Sequence, residues 1–302
     1  MSFLLSTRGS DLALWQARTT LTGLQEAWPD LDVDLLRVDS RGDQDRSTEL
    51  ARFGRIGIFT VEVDRALLDG RARVAVHSLK DMTTTLQEGT RLAAVLPRGP
   101  VEDVLVGADL NALKAAGTLA TGSLRRGAML RAAIPGLELT PSRGNVPTRV
   151  ERARSQGGVP TVLARAGILR LGLESVIEEV LDPLEFVPAV GQGIVGLVIR
   201  EEDDEAASHL MPLNCVETHA RALAERALLR AMHGGCNVPL GAHASVDGKN
   251  LSLRARVLSA DGSEEIRAER SGEISSAETI GEDLAEELLS QGAGRLVKEA
   301  RQ

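Results

Sequence analysis

The sequence predicts an α/β architecture followed by a small C-terminal α+β domain, and three observations carry the prediction. Up to about Glu201, short β-branched runs alternate with stretches whose apolar residues recur at helical spacing. A serine or asparagine that can cap a helix stands just ahead of several of those stretches. Beyond Val216 the pattern becomes one long helical stretch and then apolar–polar alternation broken by the turn signals "DGKN" and "ADGS".

Taken in order, "FLLS" from Phe3 reads as a strand, "TRGS" as a turn and "DLALWQARTTLTGLQEAW" as a helix capped by Ser10. "RVAVHSLKD" is a short strand that ends in polar residues. "TLATGSLRRGAMLRAA" is a strand, a glycine, a cap at Ser123 and a helix. "LELTPSRGNVPTRVERARSQGG" repeats the pattern, with Asn145 as cap, Pro147 in the first turn and Gly157-Gly158 as the stop. Strands alternating with helices predict a largely parallel sheet. The acidic run "REEDDEAA" reads as a solvated face, and "ETHARALAERALLRAMHGG" as one helix closed by Gly234-Gly235. The alternating segment that follows predicts an antiparallel sheet covered by an acidic amphipathic helix from about Ser276.

At 302 residues, 43% hydrophobic and 26% charged, the chain is long enough for two or three domains. Two cysteines, Cys215 and Cys236, cannot make a disulfide framework, no apolar run reaches a membrane-spanning length, and "MSFLLSTRGS" lacks a signal-peptide pattern. A cytoplasmic protein with no membrane partner is expected. The net charge of −8 argues against general nucleic-acid binding. Of 35 basic residues only four are lysine, Lys80, Lys114, Lys249 and Lys298, and arginine is the side chain that takes carboxylates bidentately.

In an α/β fold, ligands are met where strands end and helices begin, because the first helical amides and the helix dipole favour anions there. Three such junctions carry the same chemistry: "STRGS" offers Arg8 and Ser10, "TGSLRR" offers Ser123, Arg125 and Arg126, and "SRGNVPTR" offers Arg143 and Arg149. A single arginine there is a surface charge; three together suggest a cleft for a ligand with several carboxylates. "HSLKDM" places His77, Ser78, Lys80 and Asp81 at a strand end. It reads either as a polar turn with a Lys–Asp surface pair or as a site where the aspartate stabilises protons and the lysine holds an anion. Five scattered histidines and two distant cysteines lack metal-ligand spacing, so no metal is expected. Cys236 follows a helix C-terminus, whose partial negative charge disfavours a thiolate. It is either an inert thiol or a cysteine that reacts once and then carries a covalent group; Cys215 reads only as inert.

Eight segments together resemble the porphobilinogen deaminase (hydroxymethylbilane synthase) family: "TRGSDLALWQA", "RGD" at Arg41–Asp43, "VAVHSLKDM", "TGSLRRGAML", "SRGNVPTRV", "LARAGILRLGLES", "VPAVGQGIVGL" and "ERALLRAMHGGCNVPLG". They run in the family's order from Thr7 to Gly241. The resemblance implies two periplasmic-binding-protein-like domains of type II, 1–95 with 193–212 and 98–190, and a third domain at 216–302. It implies a monomeric enzyme of tetrapyrrole (porphyrin, heme) biosynthesis that joins four porphobilinogen units on a covalent dipyrromethane cofactor and releases hydroxymethylbilane and ammonia. By motif match, Cys236 carries the cofactor, Asp81 is the catalytic aspartate, and Lys80, Asp81, Ser123, Arg125 and Arg126 hold the cofactor. Arg8, Ser10, Ser78, Arg143, Arg149, Arg170 and Gln192 match the substrate site. The chain departs from the family at Asp11 (usually proline), Thr83 (proline), Gly122 (serine) and Val198 (glutamate), and in the loop "ARFGRIGIF", where Arg52 keeps a charge and Ile56 does not. A solute-binding module and a degenerate, non-catalytic paralogue that binds pyrroles or a protein partner are the alternatives. The first has no use for Cys236.

Overall fold

The computed structural model describes residues 2–38, 60–233 and 238–300, and these divide into two compact units, 1–98 with 194–219 and 99–193 with 220–302. The loop 51–59 with Arg52 and Ile56, the "RGD" at Arg41–Asp43, and Gly234, Gly235 and Cys236 lie outside the described residues.

In the first unit, β1 (Phe3–Arg8), α1 (Asp11–Ala27), β2 (Val33–Val38), α2 (Val61–Leu68), β3 (Val74–Ser78) and β4 (Thr90–Val95) are joined by β10 (Val195–Arg200) and α7 (Asp204–Leu210). The sheet runs β2-β1-β3-β10-β4. Burial follows the sequence pattern: Leu14, Ala17, Thr20 and Leu24 recur on one face of α1 and are buried there. Leu5, Leu24, Val74, Leu197 and Leu210 share one core. In the acidic run after Arg200, Glu201, Glu202, Asp204 and Glu205 are exposed as a solvated face requires, and Asp203 is the exception. Asp203 is buried; it caps α7 by accepting from the Ala206 N–H at 3.0 Å, from Arg73 at 2.6 and 2.8 Å and from Arg200 at 2.8 Å. Two cations, Arg73 just ahead of β3 and Arg200 at the end of β10, converge on it and repay its burial.

The second unit begins with β5 (Asp103–Val106), α3 (Leu110–Ala116), β6 (Thr118–Ala120), α4 (Leu124–Ala133), β7 (Glu138–Thr140), α5 (Val146–Arg154), β8 (Thr161–Ala164), α6 (Arg165–Arg170) and β9 (Glu179–Val180). Its first sheet runs β7-β6-β8-β5-β9, the order of the first unit's sheet with β6, β7 and β8 in the places of β1, β2 and β3. The two sheets thus repeat one strand order. Neither sheet is largely parallel. β1 pairs in parallel with β2 and β3, and β6 with β7 and β8, but β10 runs antiparallel to β3 and β4, and β5 antiparallel to β8 and β9. In each sheet the antiparallel strand, β10 or β5, is the one that enters from a crossing segment, which a count of strand–helix alternations does not register. α5 also stops earlier than expected: Ser155 is already extended, and Gly157, at φ +72°, serves the turn that follows.

The same unit holds the antiparallel sheet β11 (Leu240–Asp247), β12 (Asn250–Leu258) and β13 (Glu265–Glu273), flanked by α8 (Val216–Ala231), α9 (Ala277–Ser290) and α10 (Ala293–Glu299). One of the unit boundaries, between His219 and Ala220, falls in the first turn of α8, and α8 ends at Ala231, with His233 at φ 49°. Leu228, Leu251, Leu253, Leu284 and Val297 form its core, and Val190 from the crossing segment joins them. Close approach fixes Gly193, which sits at φ +85°, where a Cβ would lie 2.7 Å from the Gly99 carbonyl oxygen.

Candidate active site

In a sheet of order 2-1-3, the connections from the first and third strands leave in opposite directions, and their carboxyl ends frame a crevice. The predicted residues of each unit gather at those ends.

In the first unit, β1 ends in Arg8, and Ser10 caps α1 by accepting from the Ala13 N–H at 3.4 Å. The neighbouring parallel strand β3 ends in Ser78 and turns through a single 3-10 turn, Leu79–Asp81, whose Leu79 is wholly buried. That buried leucine anchors the turn, so Lys80 is left half-buried and Asp81 exposed. The last two residues of β3 point to opposite faces, as a strand requires. Ser78 Oγ accepts from Gln16 Nε2 of α1 at 2.7 Å, and buried His77 meets Asp64 of α2 at 2.8 Å. Gln16 and Asp64 were not legible as site residues, because their partners lie 62 and 13 residues away. Val198 is buried in β10 opposite Ala75, and Thr83 donates to the Thr85 carbonyl.

In the second unit, β6 ends at Ala120, and Ser123 caps α4 by accepting from the Arg126 N–H at 3.4 Å. The first turn of α4 carries Arg125 and Arg126 inward, 4% and 9% exposed. Both close on Asp103, the first residue of β5, which is 1% exposed. Arg125 Nη2 donates to Asp103 Oδ2 at 2.8 Å, and Arg126 Nη2 donates to Oδ1 at 2.7 Å. Gln192 Nε2 donates to the same Oδ1 at 2.9 Å and to the Val101 carbonyl at 2.7 Å. Arg125 Nη1 donates to the Val187 carbonyl at 2.9 Å. Burial pushes the Asp103 carboxyl up, but Arg125 and Arg126 outweigh it and hold the group well below the usual carboxylate range. Burial also pulls Arg125 down, although a guanidinium stays charged at any pH the protein meets.

The other predicted arginines surround different strand ends. After β7, Asn145 caps α5 by accepting from the Thr148 N–H at 3.0 Å, and Arg149 Nε donates to the Gly144 carbonyl at 2.9 Å. The Arg143 carbonyl accepts from Arg152 at 2.9 Å. After β8, Arg170 Nη2 donates to the Gly193 carbonyl at 2.7 Å, and its burial lowers its pKa. Thus Arg125, Arg126 and Gln192 are drawn together on one carboxylate, while Arg143, Arg149 and Arg170 stand on neighbouring junctions. Beside Gln192, the fully buried Glu225 of α8 accepts from the Gly191 N–H at 2.7 Å and the Ala244 N–H at 2.8 Å, tying "VGQG" to β11. Asp103 and Glu225 were missed by sequence reasoning. An aspartate heading the apolar run "DVLV" was the one available signal.

Among the described residues no group of three or more histidine, cysteine or acidic side chains could hold a metal, and no helix is long and apolar enough to cross a membrane. Residues 3–208 match the family model "Porphobilinogen deaminase, dipyromethane cofactor binding domain", and residues 219–290 match "Porphobilinogen deaminase, C-terminal domain". The chain belongs to the porphobilinogen deaminase family. A porphobilinogen deaminase of Moorella thermoacetica is 43% identical over 300 residues, covering 98% of this chain and 96% of its own. Two solved structures align far more loosely. The BenM effector binding domain with its effector benzoate is 13% identical at TM-score 0.43, covering 72% of this chain and 89% of its own. The BvgS VFT2 domain of Bordetella pertussis is 13% identical at TM-score 0.42, covering 70% and 86%. The family match, with a domain described as binding a dipyrromethane cofactor, can be set against the residues. A dipyrromethane with acetate and propionate arms needs buried cationic donors. Arg125 Nε and Arg126 Nε, both buried, have no hydrogen-bond partner. The residues present therefore fit a carboxylate-bearing group.

Proposed function

We propose that this chain joins four porphobilinogen units head-to-tail on a dipyrromethane held covalently by Cys236, releasing hydroxymethylbilane and ammonia. The chemistry is that of a hydroxymethylbilane synthase, a transferase of tetrapyrrole biosynthesis. The observation that carries the assignment of residues is the buried pair Arg125–Arg126, two fixed cations sharing one carboxylate. When bound, the dipyrromethane supplies the acceptor end on which the chain grows.

Each residue then has a task that its surroundings suit. Arg125 and Arg126 hold cofactor carboxylates with Ser123 and Lys80, where charge-assisted hydrogen bonds contribute roughly 1.5–3 kcal/mol each. Asp81 is exposed on a turn anchored by buried Leu79, so its carboxylate is available to steady the positive charge that develops on a substrate pyrrole as ammonia leaves. Arg8, Ser10, Arg143, Arg149 and Arg170 take the acetate and propionate groups of substrate and growing chain. Ser78, bonded to Gln16, and Gln192, bonded to Asp103, act through neighbours more than by direct contact. We also propose that the working protein is a cytoplasmic monomer of three domains, 1–95 with 193–212, 98–190 and 216–302, with no nucleic-acid partner. The net charge of −8 supports the last point.

The test is the intact mass of the purified protein. A covalent dipyrrole on the peptide spanning Cys236 is expected, absent in Cys236→Ser and kept in Cys215→Ser. An unmodified wild-type mass that persists after incubation with porphobilinogen would remove the cofactor from the account.

A further inference from the structure

Arg125 and Arg126 are two permanent cations, and Asp103 is their one acidic partner among the described residues. Formally the buried cluster is one positive charge out of balance. Burying unbalanced charge is costly, and the cost falls when an anion joins. The single carboxylate is also fully used. Oδ2 takes Arg125, Oδ1 takes Arg126 and Gln192, and Gln192 is itself fixed by the Val101 carbonyl. Arg125 is held again by the Val187 carbonyl and lies beside Met129 sulfur at 3.9 Å. The guanidinium groups are thus pinned through their Nη atoms, while both Nε atoms are without partners. In that arrangement Asp103 resembles a built-in carboxylate ligand: it occupies one anion's place permanently and leaves the charge for a second.

We propose that Asp103 is a positioning residue for cofactor capture, fixing Arg125 and Arg126 before any ligand arrives and setting the cluster to accept one further carboxylate. The inference rests on the reading of these arginines as cofactor ligands, and it extends that reading to a residue whose carboxylate the arginines and Gln192 already occupy. It explains why two guanidinium groups can be buried side by side in the chain before it is loaded. It also makes capture a matter of geometry already in place, which lowers the ordering cost of binding.

The experiment compares full-length wild type, Asp103→Asn and Asp103→Ala, each prepared without cofactor. Thermal midpoints are read with and without sodium formate, and adduct formation is followed by intact mass after porphobilinogen is added. Formate is the probe because alanine plus formate restores the atoms of the lost carboxylate. Loading of Asp103→Asn is expected to slow by about tenfold or more, as for a broken buried ion pair. Formate is expected to raise the midpoint of Asp103→Ala well beyond its effect on wild type and to recover much of the loading rate. Loading of Asp103→Asn at the wild-type rate would overturn the proposal. So would a failure of formate to act on Asp103→Ala; if that variant does not fold, Asp103→Asn decides through its loading rate. Should wild type itself never gain an adduct, the cofactor reading fails, and the formate response of the thermal midpoints still decides whether Asp103 organises an anion site.

Discussion

At the end of β3 the chain turns through Leu79–Asp81 and leaves Asp81 exposed, whereas at the end of β6 it enters α4 with Arg125 and Arg126 buried on Asp103. The two strands stand in comparable sheets, β3 beside β1 and β6 beside β8, at the positions where α/β sheets meet their ligands. What differs is how each charge is secured. Asp81 is placed by its neighbours: buried Leu79 in the turn, Gln16 on Ser78 and Asp64 on His77. The arginines are placed by their own charge, through a carboxylate held in the core. On the proposed reading, an aspartate that answers a transient cation is best left without fixed partners, and guanidinium groups that hold a cofactor carboxylate are best fixed beforehand. One strand order thus serves two kinds of electrostatics, separated by burial.

The largest effect is expected at Asp81. Asp81→Asn keeps the size of the side chain and removes the charge, so turnover should fall by about a hundredfold or more. Because the side chain is exposed, its thermal midpoint should correspond to a change within about 0.5 kcal/mol. Steady-state rates with differential scanning calorimetry check both halves; a large loss of stability with activity intact would reverse the assignment. Arg125→Leu should behave in the opposite way, losing about 1.5–3 kcal/mol of stability in urea unfolding, because Asp103 Oδ2 and the Val187 carbonyl lose their charged donor while Arg126 still balances the carboxylate. Arg126→Leu should cost less, since Asp103 Oδ1 keeps Gln192.

Acidification sharpens the same contrast. The Asp103 carboxyl is depressed in the folded protein, so its contribution is complete above the unfolded carboxylate value of about 3.9 and is lost as the pH falls through the lower folded value. The stability gap between wild type and Asp103→Asn should therefore be constant above about pH 4 and shrink on further acidification. Thermal midpoints across that range measure it, and a gap that widens with acid would contradict the burial argument. The smallest effect is expected at Gln16→Leu, which removes the 2.7 Å donor to Ser78 and should cost about 1 kcal/mol. Turnover should fall modestly with the adduct retained.

Much of the fold was legible because its signals are local. Ser10, Ser123 and Asn145 each cap the helix they were expected to cap, and the turns at "DGKN" and "ADGS" join antiparallel strands. Strand direction was not legible, because β10 and β5 arrive from crossing segments whose course depends on tertiary packing. The arginines stood out by composition, and Asp81 by its place at a strand end. Their supports did not: Asp103 lies 22 and 23 residues from its arginines and 89 from Gln192, and Glu225 lies 34 from Gly191. Asp203 shows the same limit from the other side, an acidic residue in a charged run that is nonetheless buried, paired with Arg73 from 130 residues away as well as with nearby Arg200.

We propose that the β3 end supplies a charge for chemistry while the β6 end supplies charges for holding the cofactor. Intact mass of wild type, Asp81→Asn and Arg126→Leu, each purified and then exposed to porphobilinogen, separates the two roles. A dipyrrole adduct is expected on wild type and on Asp81→Asn, with Asp81→Asn failing to turn over, and mostly unmodified protein for Arg126→Leu. A fully loaded Arg126→Leu beside an unloaded Asp81→Asn would contradict it.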